Sequence, residues 1–418
     1  MSQISDDCFA FGGPLMTYAD AVAEIVARTP AVTNRISLPL QAAGGHVLTA
    51  DAVARNDSPP GDNAAVDGYA FRHGDLPTDA PGHFPIAARI QAGDAPPPPL
   101  APGTAARIFT GGLIPDGADT VVMQEDVQTG GSQVSIPPGL KAGANRRRAG
   151  EDIRRDTTLL TAGHRLGPGE LALLAAGGVG MVEVQARPRV TILSTGDEIV
   201  PPGVPVAPGR VADANGPMLV ALLQRLSITV RHAGIVPDRP DALRAALARA
   251  AADSDLILTS GGVSTGEADH VRTIVAELGA LHLWRLAIKP GRPLAFGHVR
   301  GRAFCALPGN PVAVMACFLM FVRPLLDRLE GAAPRTLRRW PVQAGFAMRS
   351  KPDRREWLRG HLTAADNGML TATRYDRQGS GIIHSLTESD GLIEVPENVT
   401  EIAPGDLLGF ISFREAMA

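Results

Sequence analysis

The stretch Leu256-Ile-Leu-Thr-Ser-Gly-Gly-Val-Ser-Thr-Gly-Glu-Ala-Asp269 decides the fold of this chain. It begins with a short apolar run that indicates a buried parallel strand. Ser260, Gly261 and Gly262 interrupt the run, and apolar residues then recur at helical spacing. A glycine-rich turn between a strand and a helix presents backbone N–H groups at the carboxyl edge of a sheet, where anions bind. An ordinary tight turn has the same residues, so the turn alone leaves both interpretations open.

Polar residues also follow other predicted strands of the same region. Asp197 and Glu198 follow one strand, Asp238 follows a second, and the segment Pro308-Gly-Asn310 follows a third. In a doubly wound sheet, loops at the carboxyl ends of strands converge on one crevice. We therefore expect these side chains to lie near the glycine-rich turn.

This predicted crevice contains charges of both signs. Glu267 and Asp269 are the carboxylates beside the turn, and Lys289 and Arg292 supply cations. Carboxylates can hold Mg²⁺, whereas amides and cations bind phosphate oxygens. No Ser-His-Asp, Cys-His or zinc-ligand pattern is visible. The residues alone therefore indicate Mg²⁺-assisted chemistry on an anionic ligand.

The alternation of strands and helices defines the predicted fold class. It extends from Arg189 to Leu329 and predicts a parallel α/β sheet with helices on both faces. Short strands with frequent turns occupy the segment before Leu140 and return after Arg338. The fold class is therefore α/β plus β, multidomain, with a doubly wound central domain. The predicted domains are a helical or mixed linking domain (14–55 and 141–188, discontinuous), a β-rich inserted domain (56–140), the α/β domain (189–329) and a C-terminal small β domain (338–418).

Length, charge and cysteine content restrict the classes of function that this protein can have. A chain of 418 residues should contain more than one domain. Its net charge of -3 argues against general nucleic-acid binding. Three cysteines without metal-ligand spacing fit a reducing compartment. Because there is also no signal peptide or bilayer-length apolar run, we expect a cytoplasmic protein without nucleic-acid or membrane partners.

Two further segments each allow two interpretations. In Asn63-Ala-Ala-Val-Asp-Gly-Tyr-Ala-Phe71, the Asp-Gly pair is typical of a turn, and the alternative is a functional role. In Asn145-Arg-Arg-Arg-Ala-Gly-Glu-Asp152, the charges fit either a solvated loop or the edge of an anion and metal site.

Several motifs together resemble those of one known family. They are Val66-Asp-Gly-Tyr-Ala70, Phe109-Thr-Gly111, Gly117-Ala-Asp119, Val121-Val-Met-Gln-Glu125, Gly150-Glu-Asp152, Ser194-Thr-Gly-Asp-Glu198, Thr259-Ser-Gly-Gly-Val-Ser264, Gly266-Glu-Ala-Asp269, Lys289-Pro-Gly291 and Leu307-Pro-Gly-Asn-Pro311. Each is weak alone, but their order and separation are specific. Over nearly its whole length, the chain resembles the molybdopterin molybdenumtransferases, the MoeA family that includes the E domain of gephyrin.

The resemblance implies an elongated homodimer of four-domain subunits. The central domain would have the molybdopterin-binding (MogA-like) fold of the adenylyltransferase that acts one step earlier. The implied reaction takes adenylylated molybdopterin and molybdate as substrates, uses Mg²⁺, releases AMP and yields molybdenum cofactor. The upstream adenylyltransferase and downstream molybdoenzymes are possible partners. The site would lie between the central domain and the β-rich domain of the other subunit.

The resemblance also implies roles for individual residues. The implied catalytic residues are Asp67, Asp152, Glu198, Asp238, Asp269 and Lys289, of which Asp67, Asp152, Glu198 and Asp269 are also the implied metal ligands. The implied substrate-binding residues are Thr110, Thr195, Ser260, Gly261, Gly262, Ser264, Arg285, Arg292, Pro308, Asn310, Arg359 and Ser380. Of these, Asp67, Thr110 and Asp152 match the side contributed by the partner subunit.

A few residues depart from the family pattern. Val66 stands where methionine is usual, and Arg285 and Arg292 stand where lysines are usual. None of these changes removes an acidic residue, so we expect activity. Two alternatives remain open, namely a molybdopterin adenylyltransferase-type enzyme and a non-catalytic molybdopterin-binding or scaffold paralogue. The separate β-rich segment argues against the first, and the absence of a long linker or partner-binding extension argues against the second.

Overall fold

The computed structural model describes residues 15–32, 34–262, 270–364 and 368–417. Their contacts divide the chain into two compact units. The inserted unit comprises Ser37–Gly44 and Ala50–Val184, and the main unit comprises the chain up to Ile36, Gly45–Thr49 and everything from Gln185 onward. Within the described ranges, every helix is too short or too polar to cross a bilayer. The four-domain boundaries given above stay a prediction.

The elements up to residue 185 are mostly short strands. They are α1 (Tyr18–Arg28), β1 (Arg35–Pro39), β2 (Ala52–Val53), β3 (Asn63–Ala64), β4 (Gly68–Phe71), β5 (Gly82–Ile90), β6 (Ala105–Ile108), β7 (Thr120–Met123), β8 (Gln128–Gly130), β9 (Gln133–Ile136), β10 (Arg146–Arg147), β11 (Thr158–Leu160), α2 (Pro168–Ala176) and β12 (Met181–Gln185). Thr17 caps α1, because its side chain accepts a hydrogen bond from the Asp20 N–H at 3.2 Å.

The elements after residue 185 include most of the helices. They are β13 (Arg189–Thr195), β14 (Ile199–Val200), β15 (Val211–Ala212), α3 (Asn215–Arg225), β16 (Thr229–Val236), α4 (Pro240–Asp253), β17 (Leu256–Ser260), α5 (His270–Leu278), β18 (Gly279–Arg285), β19 (Ile288–Lys289), β20 (Pro293–Val299), β21 (Arg302–Leu307), α6 (Pro311–Cys317), α7 (Arg323–Leu329), β22 (Trp340–Ala344), β23 (Met348–Arg349), β24 (Arg355–Ala364), β25 (Leu370–Arg374), α8 (His384–Glu388), β26 (Gly391–Val395), β27 (Glu401–Ile402), β28 (Leu407–Ser412) and α9 (Phe413–Ala416).

The inserted unit is built on a six-stranded sheet with the order β7-β4-β6-β5-β9-β8. This confirms the β-rich segment predicted from the sequence. Gly68 opens β4, where a Cβ would lie 1.8 Å from the Val122 carbonyl oxygen of the neighbouring strand. The Asp67-Gly68 pair therefore serves the close approach of two strands, and the turn interpretation was wrong at Gly68.

The main unit contains the predicted α/β sheet, in the order β16-β13-β17-β21-β20-β18. The first four strands are parallel, but β20 and β18 are antiparallel to their neighbours. The expected alternation of strand and helix therefore fails between residues 279 and 307, where four strands follow one another. Apolar runs reveal buried strands, but they carry no information on strand direction.

Helices cover both faces of this sheet, as predicted. α4 and α5 pack on one face, around Leu247 and Ile274. α3 and the segment from α6 to α7 pack on the other, together with α1. The segment from Pro311 to Leu329 is continuous through a π-helical turn at Phe318–Val322 and is buried on nearly all sides. Asn310 occupies the N-cap position, but its side chain makes no capping hydrogen bond.

The C-terminal segment forms a closed barrel. Strands β24, β25, β22, β28 and β26 follow one another around it, and β24 and β26 pair to close it. β19, which lies between β18 and β20 in the chain, pairs in parallel with the start of β24. This pairing aligns Lys289 with Glu356 and fixes the barrel beside the carboxyl edge of the α/β sheet.

Candidate functional site

Three parallel strands end side by side at one edge of the main sheet. Ser194 near the end of β13 pairs with Ser260 at the end of β17, and Ser260 pairs with Leu307 at the end of β21. Their following loops therefore converge, as the sequence predicted. Thr195 and Ser260 are both buried, and the Thr195 hydroxyl donates to the Ser260 carbonyl oxygen at 3.3 Å.

The glycine-rich turn fits tightly against the loop of β13. Gly261 and Gly262 have φ of +91° and +68°, which favour glycine. A Cβ at Gly261 would lie 2.3 Å from the Thr195 carbonyl oxygen, and one at Gly262 would lie 2.9 Å from Thr195 Oγ1. The Gly261 N–H donates to the Leu307 carbonyl oxygen at 3.2 Å. This N–H is thus used inside the protein, whereas the sequence had suggested that the turn leaves such groups bare for a ligand.

Asn215, which sequence reasoning missed, joins two of the loops. Its Nδ2 donates to Ser260 Oγ and to the Gly309 carbonyl oxygen, each at 2.7 Å. Because a carbonyl oxygen can only accept, the nitrogen of the amide must face Gly309. Asp213 accepts hydrogen bonds from Ser194 Oγ at 2.6 Å and from the Gly216 N–H at 2.8 Å, so it holds the start of α3 in place. The only sequence signal was the pair of polar residues Asp213 and Asn215 before an amphipathic helix.

Carboxylates gather beside the end of β13. The Asp238 N–H donates to Asp197 Oδ1 at 3.1 Å, and the Glu198 side chain folds over Gly196. Partial burial, followed by the charges of Asp197 and Glu198, raises the pKa of Asp238. The carboxylates of Asp197, Glu198 and Asp238 repel one another when they are ionised, and a bound cation would reduce this repulsion.

Replacing Asp238 by asparagine should raise the Tm at pH 7. A raised folded-state pKa means that the folded state binds more protons than the unfolded state above pH 3.8, so the charged Asp238 destabilises the fold once the pH exceeds the folded pKa. The small gain in Tm should therefore shrink as the pH falls towards 3.8. Thermal melts of both proteins from pH 4 to pH 8 measure this. A constant difference in Tm across that range would contradict the assignment.

A cavity of about 980 Å³ opens between the loops of the sheet and the C-terminal barrel. Many residues predicted from the sequence line it. They are Glu198, Gly261, Gly262, Lys289, Arg292, Pro308, Asn310, Arg359 and Ser380. The barrel also contributes Lys351 and Arg354, which were missed, although the basic run Lys351-Pro-Asp-Arg-Arg355 was a visible signal. Cations therefore dominate the wall of the cavity.

Arg359 is the most unusual residue of this wall. It is only 1% exposed, and its guanidinium donates to Ser385 Oγ and to the carbonyl oxygens of Arg377 and Gly379 at 3.0–3.2 Å. Among the described residues, no carboxylate pairs with it. Burial accordingly lowers the pKa of Arg359 to about 10. A buried cation without a counter-ion is costly unless an anion enters the cavity beside it.

Other predicted residues lie elsewhere. Arg285 ends β18 and is absent from the described lining of the cavity. Ser264 and Asp269, with Glu267, fall outside the described residues. Within the described ranges, no group of three or more His, Cys, Asp or Glu side chains is placed to hold a metal ion. The predicted metal ligands therefore stay a prediction.

Three predicted residues belong to the inserted unit. Asp67 Oδ1 accepts hydrogen bonds from the Thr110 N–H at 2.8 Å and from Thr110 Oγ1 at 2.7 Å. These bonds, with a smaller contribution from Arg107, lower the pKa of Asp67, so it is preorganised as an anion. Asp152 is exposed in the loop that follows β10.

Family profiles match the chain in three consecutive segments. Residues 16–178 match the MoeA N-terminal region (domain I and II), residues 191–328 a probable molybdopterin binding domain, and residues 341–413 the MoeA C-terminal region (domain IV). The fold and the profiles together define a multidomain protein with a molybdopterin-binding α/β domain. This confirms the predicted fold class.

Individual relatives define the family. A molybdopterin molybdenumtransferase of Haemophilus influenzae is 31% identical, over 96% of this chain and 100% of its own length. Another, from Nostoc, is 34% identical over 93% of this chain and 91% of its own length. A crystal structure of a molybdopterin biosynthesis MoeA protein from Pyrococcus horikoshii matches with a TM-score of 0.82 and 28% identity, over 96% of this chain and all of its own. The chain belongs to the molybdopterin molybdenumtransferase family.

Proposed function

We propose that this enzyme inserts molybdenum into adenylylated molybdopterin, using molybdate and Mg²⁺, releasing AMP and forming molybdenum cofactor. The family membership supports molybdenum insertion, because the similar proteins carry that name. The observation that carries the proposal here is Arg359, a buried guanidinium without a carboxylate partner among the described residues, in a cavity rich in cations. Such a cavity suits an anionic substrate.

The residues of the main unit that line the cavity have different proposed roles in substrate binding. Lys289, Arg292 and Arg359 would bind phosphate and oxyanion groups, because charge-assisted hydrogen bonds to such groups are strong. The Gly261-Gly262 turn lines the cavity, where its backbone would lie beside the substrate. Ser380 and Asn310, which also line the cavity, would orient the pterin.

The carboxylates fit a magnesium ion. Mg²⁺ is usually held by one or two carboxylates together with substrate phosphates and water, so Glu198 and the other proposed ligands, Asp67, Asp152 and Asp269, need not form a complete protein cage. When bound, the ion neutralises charge on phosphate oxygens and polarises the phosphorus centre. Asp238 retains a proton to higher pH than an ordinary aspartate, because burial and its acidic neighbours raise its pKa.

The reaction itself tests the proposal. Purified protein would be mixed anaerobically with adenylylated molybdopterin, Mg²⁺ and molybdate. We expect molybdate-dependent AMP release and reconstitution of an apo-molybdoenzyme. Adenylylation of free molybdopterin from ATP would instead identify an adenylyltransferase, and tight binding without turnover would identify a scaffold. Transfer from the upstream adenylyltransferase, delivery to molybdoenzymes and a cytoplasmic location are further predictions.

We also propose a homodimer in which Asp67, Thr110 and Asp152 complete the site of the partner subunit. The preorganised Asp67 supports this role, since an ionised carboxylate with fixed geometry suits a cation-dependent site.

Two inactive variants should therefore rescue each other. Asp67→Asn and Lys289→Met, mixed after reversible dissociation, should recover about a quarter of wild-type activity, because half of the dimers gain one intact site. Each variant dissociated and reassociated alone is the control. No recovery in mixed dimers, verified by mass, would contradict a shared site.

A further inference from the structure

The buried carboxylate of Glu356 lies behind the cationic wall of the cavity. Glu356 is only 2% exposed, and three donors share its two oxygens. Lys289 Nζ donates to Oε2 at 3.0 Å, whereas Ser350 Oγ donates to Oε1 at 3.1 Å. The Arg354 guanidinium also donates to Oε1. Glu356 thus holds two of the cations that line the cavity.

These two cations come from different parts of the chain. Lys289 belongs to β19, within the α/β segment, and Arg354 immediately precedes β24 of the barrel. Backbone pairing of β19 with β24 sets Lys289 directly opposite Glu356. The backbone fixes where the Lys289 side chain begins, and the carboxylate fixes where its ammonium group ends.

A contribution to the stability of the fold does not by itself explain why Glu356 holds Lys289 and Arg354. The Lys289 side chain is 49% exposed and that of Arg354 is 26% exposed, so solvent weakens both ion pairs. Burying the carboxylate also has a desolvation cost that such pairs only roughly offset. The β19–β24 pairing already joins the two segments without any side chain.

Charge balance within the cavity gives a better account. Lys289, Arg292, Lys351 and Arg354 all line the same cavity and repel one another, and they outnumber its acidic lining residues, Glu198 and Asp353. Burial works to raise the pKa of Glu356, but the hydrogen bonds from Arg354 and Lys289 outweigh it and hold that pKa below its usual value. Glu356 therefore stays ionised and offsets part of the repulsion.

We propose that Glu356 is a positioning residue for the anionic substrate: it fixes Lys289 and Arg354 at the spacing that an oxyanion or phosphate group of the substrate requires. This proposal deepens the proposed function and rests on it for the identity of the substrate. Glu356 itself lies behind the wall and acts through the two cations.

Glu356→Gln tests the proposal, since it removes the charge and keeps the size. We expect KM for molybdate or for adenylylated molybdopterin to rise about tenfold, which corresponds to about 1.4 kcal/mol, with a smaller change in kcat. Glu356→Asp keeps the charge and should recover most of the loss. In a Lys289→Met background, Glu356→Gln should have a markedly smaller effect on the affinity for molybdate measured by calorimetry, because one of the two cations that Glu356 holds is gone.

The control is Glu397→Gln, which breaks the 2.8 Å ion pair with Arg355 outside the cavity wall. It should leave KM unchanged.

Calorimetric titration of each protein with molybdate, and with sulfate for comparison, separates the two proposals. An unchanged oxyanion affinity and KM in Glu356→Gln would overturn the role of Glu356 while leaving the enzyme activity intact. If Glu356→Gln binds oxyanions more weakly than the wild-type protein, but the wild-type protein releases no AMP, the proposed function is contradicted and the role of Glu356 is not.

Discussion

Replacing Gly261 by alanine should lower kcat/KM by about 10²-fold or more, because misplacing a reacting group by 1 Å has an effect of that order. The new Cβ would lie 2.3 Å from the Thr195 carbonyl oxygen, a distance that forces the turn or the β13 loop to move. Both loops meet beside the cavity. The measurement is steady-state molybdate-dependent AMP release.

Gly234→Ala is the matched control for this prediction. Gly234 has nearly the same backbone conformation, with φ of +93°, but no atom of the described residues lies within 4 Å of a Cβ added there. It therefore reproduces the conformational strain of about 1 kcal/mol without the steric clash. Similar activity losses in the two variants would show that strain, and not the approach to Thr195, causes the effect.

Replacing Arg359 by methionine should likewise reduce kcat/KM by about 10²-fold, if two charge-assisted hydrogen bonds of about 1.5 kcal/mol each are lost from the bound substrate. Methionine keeps much of the volume but removes the buried charge. Arg359→Lys keeps the charge without the planar fork and should fall between methionine and wild type. Thermal melts should accompany the kinetics, because Arg359 also binds Ser385 and two backbone carbonyls.

The control for Arg359 is Arg374→Met, an exposed arginine on the adjacent strand β25. It should retain full activity. Wild-type kinetics in Arg359→Met would contradict the role of the buried charge. A loss of activity that merely follows a fall in Tm would assign Arg359 to barrel structure.

Much of the fold was predictable because local patterns determined it. The apolar run before Ser260 and the pair Gly261-Gly262 correctly located β17 and its turn. The antiparallel strands β18 and β20 were not predictable, because the direction of a buried strand depends on its neighbours and not on its own residues. The same limitation explains why β19 was not recognised as a partner of the barrel.

The predictability of the candidate site also depended on sequence distance. Lys289 and Arg292 were predicted to lie near the glycine-rich turn, and both line the cavity. Glu356 was missed because its only link to Lys289 is a pairing between segments 67 residues apart. Asn215 was missed because its contacts lie in loops that become neighbours only after the sheet forms.

Strand β19 lies in the α/β segment of the chain but pairs with the barrel, so the barrel is not an independent module. A chain cut near Arg338, before the barrel begins, would leave Ile288 and Lys289 as an unpaired edge. It would also remove the wall that carries Lys351, Arg354 and Arg359. Exchange of C-terminal segments between paralogues should therefore succeed only when β24 of the donor barrel can pair with β19 of the recipient.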